Sequence, residues 1–327
     1  MKMSVIIPTY NSSKTIKRAI DSCFTKNIRE TEIIVIDDGS TDGTVELIQE
    51  KYSFLIDNNI LKLFKACHGG AGSARNIGLE KSSGDWIAFL DSDDEFIAFN
   101  DILSLISKID DSIQILNFFN NENIRKNKKY IFYGTHYINE NLGLSKYIQW
   151  NSRPSHKIFK NNLLKEADVS FPTNVKVGED MVFNLKCLMC NPKILSVNKS
   201  VYKIHQNAES ITHVILQQNI YTDVIRLLDI ILDYPLLNKT KDGFIVKNFS
   251  MMLVRYLKSQ YDINTVIPSI KKFTLKYALN RRRLFYAFLM ITEVLGWVNT
   301  LFSFLIWKFP FLLRISFSLI RKRKYRK

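Results

Sequence analysis

Glu32-Ile33-Ile34-Val35-Ile36-Asp37-Asp38-Gly39-Ser40-Thr41-Asp42-Gly43-Thr44 is the stretch that decides the fold. An unbroken apolar run stops in two acids and a tight turn, and helical character resumes through Thr44–Tyr52. A strand without polar alternation is apolar on both faces, the mark of a parallel sheet covered by helices on each side. Working outward, Ser4–Ile7, Leu61–Lys65, Asp85–Leu90 and Ser112–Phe118 read as further buried strands. Between the first two strands, Ala19, Ile20, Cys23 and Phe24 fall at helical spacing, and Asn11-Ser12-Ser13 offers that helix a cap. Strands separated by helices make the fold class α/β.

Beyond Phe119 an Asn- and Lys-rich stretch runs to Tyr130 and reads as a loop. After Ile211 the pattern turns helical, with Ile220, Val224, Leu227, Leu228, Ile231 and Leu232 on one face. A turn around Lys239–Gly243 and a helical stretch through Met251–Leu257 follow, and no internal repeat is present. The expected organisation is an α/β domain over 1–215, a helical extension over 216–280, and amphipathic, polybasic helices over 281–327.

The 327 residues are 46% hydrophobic with 12 Gly and 7 Pro, which excludes disordered, collagen-like and low-complexity chains. Four cysteines in a chain of this length exclude a disulfide-stapled secreted domain and predict a reducing compartment. Met1-Lys2-Met3-Ser4-Val5-Ile6-Ile7-Pro8 carries too short an apolar run for a secretory signal, so the expected starting point is the cytosol. Cys187 and Cys190 form a C-x-x-C inside the apolar stretch Met181–Cys190, with no second pair at ligand spacing, and are expected in the core rather than on a metal. His136, His156 and His213 have no assignable partner.

The net charge of +15 is concentrated at one end: from Arg281 onward there are eleven basic residues against Glu293 alone. Arg281-Arg282-Arg283 and Arg321-Lys322-Arg323-Lys324 bracket strongly apolar runs such as Leu284–Ile291. A nucleic-acid binder would interleave bases with polar and aromatic side chains on a folded surface. Apolar runs with polybasic flanks predict an anionic lipid surface instead, and no nucleic acid. Thr292, Gly296, Asn299 and Ser303 recur at helical spacing, so the segment is expected to lie in the plane of the membrane. That predicts a peripheral or monotopic protein on the cytoplasmic face of the cell membrane.

Three strand ends carry the chemistry. In an open α/β sheet, ligands sit beyond the carboxyl ends of the strands. Ser4-Val5-Ile6-Ile7-Pro8-Thr9-Tyr10-Asn11 leaves Tyr10 and Asn11 there, able to face a nucleotide base. Asp38 ends the second strand beside that turn and is placed to accept from a base N–H or a ribose hydroxyl, whereas Asp42 reads as a self-capping turn residue. His68-Gly69-Gly70-Ala71-Gly72-Ser73-Ala74-Arg75-Asn76-Ile77-Gly78 precedes Asp85–Leu90, which ends in Asp91-Ser92-Asp93-Asp94. Carboxylates crowded at a strand end repel, and a divalent cation on oxygen ligands is the usual compensation. On an extended chain Asp91 and Asp93 would share a side, while a helix N-terminus would account for Asp94 and Glu95.

These motifs, in this order and spacing, resemble the family-2 glycosyltransferases of GT-A fold, of the bacterial surface-polysaccharide type. The resemblance implies that Pro8, Tyr10 and Asp38 line a nucleotide pocket and that Arg75 lies beside the donor. It also implies that Asp91 and Asp93, the D-x-D pair, hold Mn²⁺ or Mg²⁺ on the sugar-nucleotide diphosphate. Lys157–Leu164, Phe171-Pro172 and Gly178-Glu179-Asp180-Met181-Val182-Phe183 resemble the acceptor-side segment, in which Asp180 would be the general base. Val201–His205 and Ser210–Thr212 resemble the next strand and closing loop, where an aromatic-aromatic-Arg pattern is common and Lys203 or His205 departs from it.

The resemblance covers about residues 3–212. It implies metal-dependent transfer, with inversion, of a hexosyl or N-acetylhexosaminyl group from a nucleotide sugar. UDP is the most frequent nucleotide in the family, and the acceptor would be a saccharide or a lipid-linked saccharide. The competing expectation is a non-catalytic, membrane-attached carbohydrate- or nucleotide-binding subunit on the same fold, which loss of Asp91, Asp93 or Asp180 would have favoured. A nucleotidyltransferase would show a Gly-rich basic loop after the first strand in place of Pro8-Thr9-Tyr10-Asn11. Oligomeric state is not expressed in any motif.

Overall fold

The computed structural model describes residues 2–25, 28–120, 122, 125–134, 153–173 and 178–205. The chain divides into two units, Met1–Ala208 and Glu209–Lys327. The expected helical extension at 216–280, the polybasic stretch at 281–327, His136, His213 and the closing-loop residues Ser210–Thr212 lie outside the described residues. Among the described residues no helix is long and apolar enough to cross a membrane.

The chain opens with β1 (Met3–Thr9), α1 (Ile16–Asp21), β2 (Thr31–Asp37), α2 (Thr44–Lys51), α3 (Ser53–Asp57) and β3 (Leu61–Lys65). Next come α4 (Ala71–Lys81), β4 (Trp86–Phe89), the short β5 (Glu95–Phe96), α5 (Phe99–Ile106), β6 (Ile115–Phe119) and β7 (Lys129–Tyr133). The remainder is β8 (Lys157–Lys160), α6 (Asn161–Glu166), α7 (Glu179–Met189), β9 (Lys193–Asn198) and β10 (Tyr202–Lys203). Eight strands form one sheet in the order β3-β2-β1-β4-β8-β6-β9-β7, and β5 pairs with β10 in a separate ribbon.

The first four strands of that order are mutually parallel. β8 runs antiparallel between β4 and β6, β9 is parallel to β6, and β7 closes the edge antiparallel. The chain is therefore α/β with a mostly parallel sheet. Every residue of β1, β2, β4 and β6 is buried, because the pleat sends alternate residues into two separate cores. Met3, Val5 and Ile7 of β1 join Ile16 and Ile20 of α1, Ile48 of α2 and Ile102 of α5 on one face. Ile6 points the other way, into the cluster of Phe89, Phe159, Leu163, Phe183 and Cys187.

On that second face α4 crosses β1 at a distance only glycine permits. A Cβ on Gly78 would fall 2.3 Å from Ile6 Cγ2, so any side chain would lift the helix that carries Arg75. Cys187 is buried there as expected, and the half-buried Cys190 donates its thiol to the Lys186 carbonyl at 3.2 Å.

The cap expected from Asn11-Ser12-Ser13 does not form. α1 starts after Thr15 with no side-chain cap. Asn11, at φ 47°, instead accepts from the Thr41 amide at 2.8 Å and gives its own N–H to Ser40 Oγ at 2.9 Å. The Ser13 N–H goes to Asp42, which also accepts from the Thr44 amide, the self-capping turn expected of Asp42. The β1–α1 loop is thus stitched to the β2–α2 loop before it can serve its own helix.

Candidate active site

Because β1, β2, β3 and β4 are parallel, their carboxyl ends bring Tyr10, Asp38, His68–Gly70 and Asp91–Asp94 to one edge of the sheet. β8 runs the opposite way and starts at that same edge, carrying His156 and Lys157 there.

At the β1–β2 corner, Pro8 is buried inside its strand, opposite Ile36. Tyr10 is 40% exposed, with its ring 4.5 Å from that of His68. Asp38 is buried, and its two carboxylate oxygens accept from the amides of Gly69 and Gly70 at 2.8 Å each. His68 Nδ1 reaches the Asp38 carbonyl at 2.9 Å. Asp38 therefore holds the glycine-rich loop in place and presents Tyr10 and His68 as an open aromatic pair. The His68 contribution was invisible in sequence, where His68 read only as the start of a Gly-rich run.

The centre of the edge is Arg75. It is 4% exposed and meets three carboxylates: Nη2 bonds Asp91 Oδ1 at 2.8 Å, and Nη1 bonds Asp180 Oδ1 at 3.0 Å and Glu179 Oε1 at 3.3 Å. The guanidinium also lies 5.3 Å from the Phe171 ring centroid. Two devices deliver this geometry. Asn76 and Phe171 exchange hydrogen bonds at 2.8 and 2.9 Å, pinning the chain at Phe171 to α4. Phe171 then stacks on Phe183 of α7 at 4.0 Å with their planes 3° apart. Gly178, at φ 89°, lets the chain turn sharply into α7, so that Glu179 and Asp180 open the helix facing Arg75.

The Asp180 side chain does not cap α7. Gly178 occupies the cap position, and the Asp180 carboxylate is spent on Arg75. Burial, opposed by Arg75 and reinforced by Glu179 and Asp91, pushes its pKa up to about 7. Lys157 is completely buried, gives a hydrogen bond to the Arg153 carbonyl at 2.8 Å, and is drawn down to about 7 by burial, against the pull of Asp180.

The acidic turn differs from the expected extended strand. The Asp94 amide bonds back to the Asp91 carbonyl at 3.0 Å, closing a turn, so the shared-side placement of Asp91 and Asp93 does not follow from strand geometry. Nor do Asp94 and Glu95 open a helix: Glu95 lies in β5, and α5 begins only at Phe99. Asp94 is locked by Tyr202 Oη at 2.9 Å and the His205 amide at 2.8 Å, and burial raises its pKa to about 6. Glu95 pairs with Lys203 and His205, both at 2.9 Å, which is where the two residues departing from the family pattern go. The His156 ring lies 5.0 Å from that of Tyr202, tilted by 39°.

The four acids therefore divide the load. Arg75 holds Asp91, the β5–β10 ribbon holds Asp94 and Glu95, and the Asp93 carboxylate has no side-chain partner among the described residues. Asp93 is half-buried, and burial together with Asp91 raises its pKa. Arg18 and Arg153 lie near enough to oppose that rise without a side-chain hydrogen bond to the carboxylate, and two neighbouring carboxylates are a donor set suited to a hard divalent cation. No three His, Cys, Asp or Glu converge into a metal cage among the described residues, so Asp91 and Asp93 fit only part of a coordination shell.

A mostly parallel mixed sheet with flanking helices and an acidic turn after its fourth strand defines the GT-A glycosyltransferase fold. The chain belongs to glycosyl transferase family 2, whose family model matches residues 4–174. Poly(ribitol-phosphate) beta-N-acetylglucosaminyltransferase TarS of Staphylococcus aureus strain MW2 is 30% identical over 254 residues, covering 76% of this chain and 43% of that protein. Poly(ribitol-phosphate) beta-glucosyltransferase of Bacillus spizizenii is 33% identical over 199 residues, covering 59% of this chain and 30% of that protein. The chain thus matches less than half the length of these two relatives. The crystal structure of S. aureus TarS 1-349 in complex with UDP-GlcNAc shares the fold, with a TM-score of 0.59 and 23% identity over 79% of each chain.

Proposed function

We propose that this chain transfers a hexosyl or N-acetylhexosaminyl group from a nucleotide sugar, a UDP-sugar, to an acceptor hydroxyl during bacterial surface-polysaccharide or glycolipid assembly. The observation that carries the reading is the Arg75 cluster, which joins Asp91 of the donor side to Glu179 and Asp180 of the acceptor side across a single guanidinium. The names of the two relatives, both glycosyltransferases acting on poly(ribitol-phosphate), support a polyol-phosphate or saccharide acceptor.

In this reading Tyr10 and His68 take the base, and Asp38 keeps the glycine loop where the nucleotide lies. Asp180 accepts the acceptor proton; a pKa pushed up to about 7 suits a base working near neutral pH. The acceptor oxygen then attacks the anomeric carbon from the face opposite the leaving nucleotide, and one displacement inverts that centre. Arg75 fixes the carboxylate of Asp180 in position, and its charge offsets part of the acidity around it. Asp91 and Asp93 would hold Mn²⁺ or Mg²⁺, which when bound supplies positive charge to the departing diphosphate. The polybasic 281–327 stretch supports attachment to the cytoplasmic face of the membrane. The test is a panel of UDP-, GDP- and dTDP-sugars with poly(ribitol phosphate) as acceptor, reading released nucleotide with and without EDTA. Turnover confined to a UDP-sugar and abolished by chelator is the expected result. No acceptor-dependent release from any donor refutes the reading.

A further inference from the structure

The acidic turn is held from a direction that the mechanism does not use. Ser12 Oγ lies 2.8 Å from Ser92 Oγ, Arg18 Nη2 donates to the Asp93 carbonyl, and Ser22 Oγ accepts from the Phe96 amide at 3.1 Å. One segment, from the β1–α1 loop to the end of α1, therefore makes three successive bonds to the segment that contains the turn. Arg18 and Ser22 are four residues apart and share a helix face, which is why both reach the same stretch. Ser12 also bonds the Tyr10 carbonyl at 3.1 Å, so the brace begins in the loop that carries Tyr10.

The arginine contact is of a particular kind. Arg75 engages Asp91 through its carboxylate, but Arg18 engages Asp93 through its carbonyl. The Asp93 carboxylate thus gains a nearby positive charge without being consumed by it. The Nε of Arg18 is buried with no hydrogen-bond partner among the described residues, where Nη2 makes the bond to the turn. From the other side Tyr202 and His205 fasten Asp94 and leave Asp93 alone.

We propose that α1 is a brace for the acidic turn and that Arg18 is its positioning residue, fixing the Asp93 backbone so that the carboxylate stays free for a divalent cation. The inference rests on the reading of Asp91 and Asp93 as cation ligands given above. It predicts that cation affinity, rather than nucleotide affinity, depends on a residue that touches neither ligand.

The experiment is Mn²⁺ binding to the full chain in the presence of UDP, followed by the electron paramagnetic resonance signal of free Mn²⁺, beside UDP binding in EDTA by calorimetry. Arg18→Met is expected to raise the Mn²⁺ half-saturation by about 10-fold to 100-fold, the worth of one hydrogen bond from a charged donor. UDP affinity in EDTA should change less than about 2-fold, and Arg18→Lys, which retains one donor, should recover part of the loss. Ser22→Ala deletes one hydroxyl, keeps the helix, and should shift Mn²⁺ binding the same way by about 3-fold, a readout that survives if Arg18→Met does not fold. Unchanged Mn²⁺ binding in the variants while the wild type binds overturns the brace. Equal losses of Mn²⁺ binding and of EDTA-insensitive UDP binding overturn it as well, since they mark a general structural role. A wild type that binds no Mn²⁺ with UDP overturns the cation reading itself, and the brace with it.

Discussion

Replacing Arg75 by Met should produce a stability defect that is larger in alkali than in acid. Arg75 is 5% exposed at its side chain, and its partners Asp91, Glu179 and Asp180 are 31%, 16% and 24% exposed. Removing one partner of a buried ion pair costs about 3–5 kcal/mol, because the charge left behind is uncompensated. Here the abandoned carboxylates keep some access to water, which places the expected loss near the lower end, about 3 kcal/mol at pH 8. Asp180 is already pushed up by burial, and without the guanidinium that opposes this rise it holds its proton still more tightly in the folded state than in the unfolded one. Raised folded-state pKa values on acids mean that the native state binds more protons, so stability falls as pH rises. Protonation at lower pH relieves the repulsion, and the gap to wild type should shrink to about 1 kcal/mol at pH 5. Urea titrations of both proteins at pH 5, 6.5 and 8, with Arg75→Lys as a charge-retaining comparison, measure this directly. A gap that is flat across this range, or below about 1 kcal/mol at pH 8, refutes the view that Arg75 neutralises the cluster.

Asp180→Asn should leave folding intact and lower turnover by about 10²–10⁴-fold; wild-type kcat/KM should fall as pH drops through about 7, where Asp180 gains its proton, and near wild-type turnover in the variant would remove it as the base. Glu32→Gln should cost about 1.5–3 kcal/mol, because Glu32 is fully buried and accepts from Ser4, Ser83, Lys2 and Lys62. These bonds hold the Glu32 carboxyl well below its usual value although burial opposes them, so its stabilisation is complete above about pH 4.3 and disappears as pH falls further. Urea midpoints that separate the variant from wild type equally at pH 7 and pH 3 would contradict that. A truncation ending at Asn280 should lose binding to anionic vesicles that the full chain shows at low salt, and equal co-sedimentation of both proteins would dismiss the polybasic stretch as the attachment point.

The strands were legible because burial on both faces writes itself as unbroken apolar runs. Met3–Thr9 and Thr31–Asp37 lie where Ser4–Ile7 and Glu32–Ile36 were expected, whereas Leu61–Lys65 is a strand as expected but not a buried one: it forms the sheet edge, with Leu61 alone of its five residues buried. The α1 cap was not legible, since Asn11 can satisfy Thr41 as readily as its own helix and the choice is made 30 residues away. The extended D-x-D failed for a similar reason: an acidic run at a strand end is compatible with a turn, and Tyr202, 108 residues on, locks it there. Crowded acids did signal a need for positive charge. What sequence could not tell is that Arg75, beside a glycine-rich loop, supplies part of it and spans 105 residues to Asp180.

The Glu32 knot also bears on how the chain reaches its native state. Its bonds join Lys2, Ser4, Lys62, Ser83 and Gly84, so the carboxylate is satisfied only when β1, β2, β3 and the turn into β4 are all in place. Until then a charge destined for the interior is unpaired there, which disfavours a partly assembled sheet with Glu32 inserted. During synthesis from the N-terminus, β1 and β2 can meet only loosely until Gly84 has left the ribosome. Contacts that close this many long loops at once form late and slow the search. The amino-terminal half should therefore assemble as one cooperative unit rather than strand by strand.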